Sequence, residues 1–357
     1  MTKDGNTLFT IEINIVTRHQ PMRTPILALL ALLSLSGSAG AQTALETFLV
    51  DEVGVDDDKL EDLFKGDVVV ELLEGDDAIE LASFGAFVVP LPARDVMARL
   101  SEMARAGDGA GIQVAALLSH PPAREDMSDL PLYEDDIDEL KECQVGDCKV
   151  KLPDEALITL AGYDWDAPGA EEQAIEWLRD HMHGYAEAYL EGGNSALAIY
   201  HDKEEPASEL DGLMVLMDES PYLFQHAPDF QDHVMNYPGS SLSASTDDLL
   251  WTVQDLGIRP ITTLTHVTTQ RRSDPNGTRG LISQKQLYAS HYFLAGLGIT
   301  AVMEHEAADG PLTVVVQIDR HRFDDRLGRL QRHAVRGKLG DFVEDAMKQR
   351  RADLLGG

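Results

Sequence analysis

The sequence predicts an α+β fold built on antiparallel strands, and three observations carry that expectation. Residues 67–90 hold two strand patterns around a turn signal. Residues 261–318 hold three more long strand patterns, and residues 324–352 close the chain with one amphipathic helical pattern. Between these, at about residues 153–235, the periodicity is helical, which places a helical insertion inside a strand-rich frame. No internal repeat and no strong linker divides residues 42–357, so one elaborated domain is expected there.

The elements follow in order. In the acidic stretch Asp51 to Asp62 and just after it, Leu60, Leu63 and Phe64 have helical spacing. Asp67–Glu74 reads as a strand, Gly75-Asp76-Asp77 as a turn and Ala78–Pro90 as a longer strand, so the pair forms a hairpin. Arg94–Arg105 put Val96, Leu100 and Met103 on one helical face, and Gly111–Leu118 is a strand candidate. Residues 125–142 carry nine acids, but they lack the ligand spacing and central Gly of a calcium loop and read as a solvated face. Pro153–Ala161 and Ala170–Glu191 are helical, with Gly192-Gly193-Asn194 as a stop signal. Leu210–Met217 and Leu223–Val234 are short helical pieces, and Pro238–Thr246 is a loop. Ile261–Thr269 is rich in β-branched residues. Gln284–Glu304 reads as one long strand whose Gly296 and Gly298 invite a bend or bulge. Pro311–Ile318 is the third strand, and Glu304-His305-Glu306 falls in an expected solvated turn.

The chain has 357 residues and a net charge of −33, from 62 acidic against 29 basic side chains. A hydrophobic share of 43% supports a sizeable core. The charge repels phosphate backbones and anionic lipid surfaces, so no nucleic-acid partner is expected. Only ten of the basic residues are Lys, and acid excess with few Lys suits saline surroundings, where screening removes self-repulsion. Residues 22–41 carry Arg23, an apolar run of ten residues from Ile26 to Leu35 and a small-residue end at Ala39-Gly40-Ala41. That is the pattern of a signal peptide cut after Ala41, and it is too short to span a bilayer. The mature protein is thus expected to be exported and not membrane-spanning. Cys143 and Cys148, around a Gly-Asp turn, are expected to form a local disulfide in an oxidising compartment, and no metal site is expected from them.

Candidate chemistry is sparse. No nucleophile elbow, His-Glu-x-x-His or phosphate loop occurs, and no cofactor is implied. On the long strand, His291 shares a face with Leu287, Ala289 and Phe293, while Tyr288 and Tyr292 lie on the other. His291 reads either as the anchor for a ligand's polar end or as a core histidine held by a backbone carbonyl. His266 comes near His291 or Tyr288 if the strands pair. His181 and His183, two apart on a helix, are poorly placed for a metal. Residues 320–351 carry ten basic side chains, starting at Arg320, against five acids. They read as an anion or partner site, or as a basic helix laid on an acidic body.

The order of elements resembles the helix-grip fold of the START or polyketide-cyclase-like superfamily: opening hairpin, helical middle, late antiparallel strands and terminal helix. That resemblance implies a curved sheet wrapping the last helix around an apolar cavity. The chain also resembles an uncharacterised group of exported bacterial proteins. The matching stretches are 143–152, Gly193–Leu197 with Tyr200 and Asp202, Thr265–Val267, Lys285–Phe293 and Leu297–Thr300, with the Arg-rich start of the last helix. The leading expectation is a non-catalytic exported protein that binds an apolar or amphipathic small molecule, or a lipid, through His266, Tyr288, His291, Tyr292 and Arg320. The rivals are a secreted hydrolase using Asp/Glu with His291 or His266, and a protein-interaction module without a small ligand.

Overall fold

The computed structural model describes residues 45–356, apart from 74, 76–78, 256–258, 308–309 and 327–328. The expected signal peptide lies outside the described residues. After a π-helical turn at Phe48–Val53, helix α1 (Asp57–Lys65) begins where Asp56 accepts the Lys59 amide at 2.8 Å, an N-cap. The hairpin β1 (Val69–Leu73) and β2 (Glu80–Val89) forms as expected. Every residue of β2 is buried, because it has a strand on either side and helices on both faces. Helix α2 (Ala93–Ala106) ends at Gly107, whose φ of 69° is the left-handed cap conformation that glycine adopts without steric cost. It leads to β3 (Ile112–Leu117).

A long insertion follows: α3 (Glu134–Glu142), α4 (Asp154–Ala161), α5 (Ala170–Gly192), the short pair β4 (Ile199–Tyr200) and β5 (Ala207–Ser208), then α6 (Glu209–Asp218), α7 (Pro221–His226) and α8 (Pro228–Asn236). It begins earlier than the hydrophobic periodicity implied. Five long strands come next: β6 (Ser245–Asp255), β7 (Pro260–Arg271), β8 (Thr278–Ala289), β9 (Phe293–Ala307) and β10 (Gly310–Phe323). Helix α9 (Arg329–Leu355) ends the chain.

The eight long strands form one antiparallel sheet in the order β1–β2–β10–β9–β8–β7–β6–β3. Because β10 pairs with β2 while β3 pairs with β6, helix α2 must cross the sheet from one side to the other. It does so on the same face as α9. Val96, Met97 and Leu100 of α2 and Met347 and Leu354 of α9 share a core with Leu250, Ile282, Val302 and Val315. The opposite face carries Trp251, Leu264, Leu281, Leu297 and Ile299, and the insertion helices cover it through Leu178, Met182, Tyr189, Leu213 and Phe230. We call these the helix-α9 face and the insertion face.

Four expectations need correcting. The stretch Gln284–Glu304 is two strands, because Ser290–Tyr292 turns the chain and Tyr292 takes a φ of 61°. Gly296 and Gly298 lie in unbroken pairing with β10 and make no bulge. His305 sits within β9, buried and stacked on Phe64 at 4.5 Å, so it is not in a solvated turn. Asp136, in the acidic stretch, is buried against Arg259 at 2.6 Å. Strand β6 was not anticipated at all.

Candidate functional site

A cavity of about 240 Å³ lies between the sheet and helix α9. Strand register explains its floor. Gln286, Gly296, His321 and Leu81 stand side by side in one row across β8, β9, β10 and β2, and Gln284, Gly298, Asp319 and Ser83 form the next. The two glycines leave a trough in β9, and the neighbouring side chains lie down into it. A Cβ at Gly298 would stand 2.6 Å from Asp319 Oδ1. One at Gly296 would stand 2.9 Å from His321 Nδ1 and 3.1 Å from Gln286 Oε1. Any side chain at either position would push these polar groups up into the cavity.

The roof is different in character. Leu339, Phe342, Val343, Ala346 and Met347 of α9 face the floor, and Arg350 sits at their end. Gly85 lets the helix come this close, since a Cβ there would meet Met347 Cγ at 2.8 Å. Arg350 donates to Gln317, and Gln317 Nε2 donates to Asp319 Oδ2 at 2.6 Å, so the helix is tied to the carboxylate through one amide. The loop Gly107–Ala110 and residues Phe342, Ala346 and Arg350 also border a larger groove between α2 and α9.

The electrostatics are those of an enclosed polar site. Gln317, Asp319 and His321 are half-buried, and the surface they keep faces the cavity. Burial pushes the Asp319 carboxyl above its ordinary value, against the pull of His321, Gln317 and Arg350. Burial likewise pulls His321 below its ordinary value, which leaves it neutral near pH 7. His321 Nδ1 and Gln286 Nε2 are buried and have no hydrogen-bond partner among the described residues. Buried polar atoms left unpaired are costly, and a ligand or water is the usual remedy.

The residues singled out from the sequence lie elsewhere and do not converge. His266, on β7, is paired with Lys285 of β8 and faces the insertion. Its Nε2 meets Asp247 Oδ1 at 3.0 Å and its Nδ1 meets the Tyr189 hydroxyl at 2.8 Å. A carboxylate only accepts, so Nε2 carries the hydrogen and Tyr189 donates to Nδ1. Burial lowers His266 to about 4, which outweighs the pull of Asp247. Tyr288 is buried on the insertion face near Tyr200. His291, in the turn after β8, binds the Lys149 carbonyl through Nδ1 at 2.9 Å and Asp136 through Nε2 at 3.1 Å. This is the arrangement of a core histidine. Tyr292 lies beside it, partly exposed. Arg320 points to the insertion face, where it pairs with Glu80 at 2.5 Å and Glu219 at 3.2 Å.

The expected Cys143–Cys148 disulfide is present, and its turn docks where the Gly146 amide meets the His201 carbonyl at 2.7 Å. Among the described residues no group of three or more His, Cys, Asp or Glu is placed to hold a metal, and no described helix is long and apolar enough to cross a membrane. No protein-family model matches the chain, and no curated protein matches it.

Proposed function

We propose that this is an exported ligand-binding protein whose cavity, between the sheet and helix α9, takes a small amphipathic molecule. The observation that carries the reading is the cavity's two-sided lining, an apolar helix above a floor of glutamines, Asp319 and His321, with two buried polar atoms left unpartnered among the described residues. Ligand sites combine apolar walls with a few placed polar groups in this way. At about 240 Å³ the cavity is smaller than the roughly 300–1,000 Å³ of drug-sized sites, which favours a compact ligand over a lipid. The helix-grip reading of the fold draws support from β10 lying beside β2, from α2 crossing to β3, and from α9 over that same face. Export rests on the signal pattern ending at Ala41, and adaptation to salt rests on the charge of −33. His266 and His291, on which the rival hydrolase reading rests, lie outside this cavity, and each ring has both nitrogens hydrogen-bonded within the protein.

The test is native mass spectrometry of the mature protein after incubation with a small-molecule extract of its own host. Ala346→Phe fills the cavity from the roof and leaves every floor residue unchanged. The expected result is an adduct of small-molecule mass on the parent protein and none on the variant, with circular dichroism unchanged. A parent without an adduct, or a variant that keeps it, would overturn the reading.

A further inference from the structure

The floor of the cavity carries more than binding requires. Asp319 and His321 are two residues apart on one strand, so their side chains leave the same face about 7 Å apart at the backbone. Both lean onto glycines of β9, both line the cavity, and α9 shelters both from bulk water. A carboxylate and an imidazole at this spacing can meet a C–H group and the oxygen of its neighbouring carbonyl at once.

We propose that the cavity catalyses proton transfer within a small carbonyl compound, with Asp319 as the base and His321 as the acid at the carbonyl oxygen. This rests on the ligand-binding reading above and adds a reaction to it. Asp319 takes the proton from the carbon next to the carbonyl. The C–H electron pair becomes a carbon–carbon double bond, and the carbonyl π pair moves to oxygen. His321, in its Nδ1–H tautomer, hydrogen-bonds the developing oxyanion. Asp319 then returns the proton to the same carbon or to a conjugated one, which gives exchange or isomerisation. Nothing is oxidised or reduced, and no second reactant is consumed.

The surroundings suit these roles. Burial strengthens Asp319 as a base, while Gln317 and Arg350 keep its carboxylate in place. Burial also keeps His321 neutral, so it acts as a hydrogen-bond donor without carrying charge. His321 Nδ1, unpartnered among the described residues, lies over Gly296, so the imidazole is the donor offered to the carbonyl oxygen. Among the described residues, the other charged groups facing the site are Arg350 from α9 and Asp108 from the loop after α2.

The probe is 2-tetralone, which has an apolar aromatic edge, a carbonyl and acidic hydrogens beside it. Exchange of those hydrogens in deuterium oxide is followed by proton NMR, and binding by saturation transfer on the same samples. Parent protein should exchange the probe faster than buffer. Asp319→Asn should lower the rate at least about a hundredfold while still binding, the size expected of a lost general base. His321→Gln should lower it less. Ala346→Phe should abolish binding and exchange together, and it keeps the proposal testable should Asp319→Asn fail to fold. Binding without exchange above buffer would overturn the reaction and leave the ligand-binding reading intact. An unchanged rate in Asp319→Asn, or neither binding nor exchange in the parent, would overturn it as well. The fate of the cavity itself is read separately by mass spectrometry.

Discussion

The substitution Gly298→Ala tests the trough directly, because two effects of opposite sign meet there. Gly298 lies in a regular strand, with a backbone conformation open to any residue. If only the backbone mattered, alanine would stabilise the protein by about 0.5–1 kcal/mol, by restricting the unfolded chain. The new Cβ would instead stand 2.6 Å from Asp319 Oδ1, where carbon–oxygen contacts settle at roughly 3.3–3.6 Å. The carboxylate must therefore retreat by about 0.7 Å or more, which strains its 2.6 Å bond from Gln317. Losing a hydrogen bond to a charged group costs about 1.5–3 kcal/mol, and overpacking costs about 1–3 kcal/mol. Partial relief into the open cavity leaves a net destabilisation of about 1–2 kcal/mol. The measurement is urea unfolding followed by circular dichroism and fluorescence together, with coincident transitions as the two-state check. Gly337→Ala, in α9 with nothing within 4 Å of its added Cβ, is the control and should stabilise by about 0.5–1 kcal/mol. In an Asp319→Ala background, Gly298→Ala should turn neutral or stabilising, a coupling of about 1–3 kcal/mol. A Gly298→Ala protein as stable as the parent, or a coupling below about 0.3 kcal/mol, would refute the account of the trough.

Two further outcomes follow from the insertion face and the disulfide. His266 has a folded value of about 4 against an ordinary 6.5, so the unfolded chain binds its proton first, and stability falls as pH drops from about 6.5 towards 4. At 1.36 kcal/mol per unit, the 2.5-unit difference is about 3 kcal/mol, and urea midpoints across that range should show a slope that His266→Gln flattens; an unchanged slope places its source elsewhere. Replacing both Cys143 and Cys148 by Ala opens a loop with a sequence separation of only 5, so the cost should be about 2 kcal/mol or less. Amide exchange should then rise locally at Gly146 and Cys148, which dock on His201 and Asp202, and a cooperative loss of the whole fold would contradict this.

Much of the frame was legible in the sequence because its signals are local. The hairpin, helices α2, α5 and α9 and the strand β7 follow from periodicity and turn residues. Strand β6 escaped because Ser245–Asp248 is polar at an end of the strand that is only partly buried, so Leu249, Trp251 and Val253 make too short an alternation. The turn at Ser290–Tyr292 escaped because it contains no glycine or proline, and Tyr292 supplies the positive φ itself. The site was harder. Its residues come together through register between β8, β9 and β10, and register is a property of pairs of strands that no single segment encodes. A trace of it was present. Gln317, Asp319 and His321 alternate with Val316, Ile318 and Arg320, so the strand pattern runs beyond Ile318 with polar groups on one face. Gly296 and Gly298 also alternate, and their value lies in the space they leave to β8 and β10.

The two faces of the sheet handle buried polarity differently, and that difference supports the site proposed on the helix-α9 face. On the insertion face, Lys285 is fully buried, yet its ammonium donates to Asn194 at 3.0 Å and to the Val234 carbonyl at 2.8 Å. Glu209, also fully buried, accepts from Tyr200 at 3.0 Å and Tyr185 at 3.2 Å. Individual oxygens or nitrogens of Glu80, Glu209 and Arg320 lack a partner there among the described residues, but each side chain is held through another atom. Such networks fix the insertion helices to the sheet. On the helix-α9 face, neither Gln286 nor His321 has a hydrogen bond through Nε2 or Nδ1 among the described residues, and both residues line the cavity. A structural role predicts that packing would close this gap, since an apolar roof over a polar floor gains little by leaving room. The glycines do the opposite: they keep the floor low, and the room they maintain is the strongest reason to place chemistry on this face of the sheet.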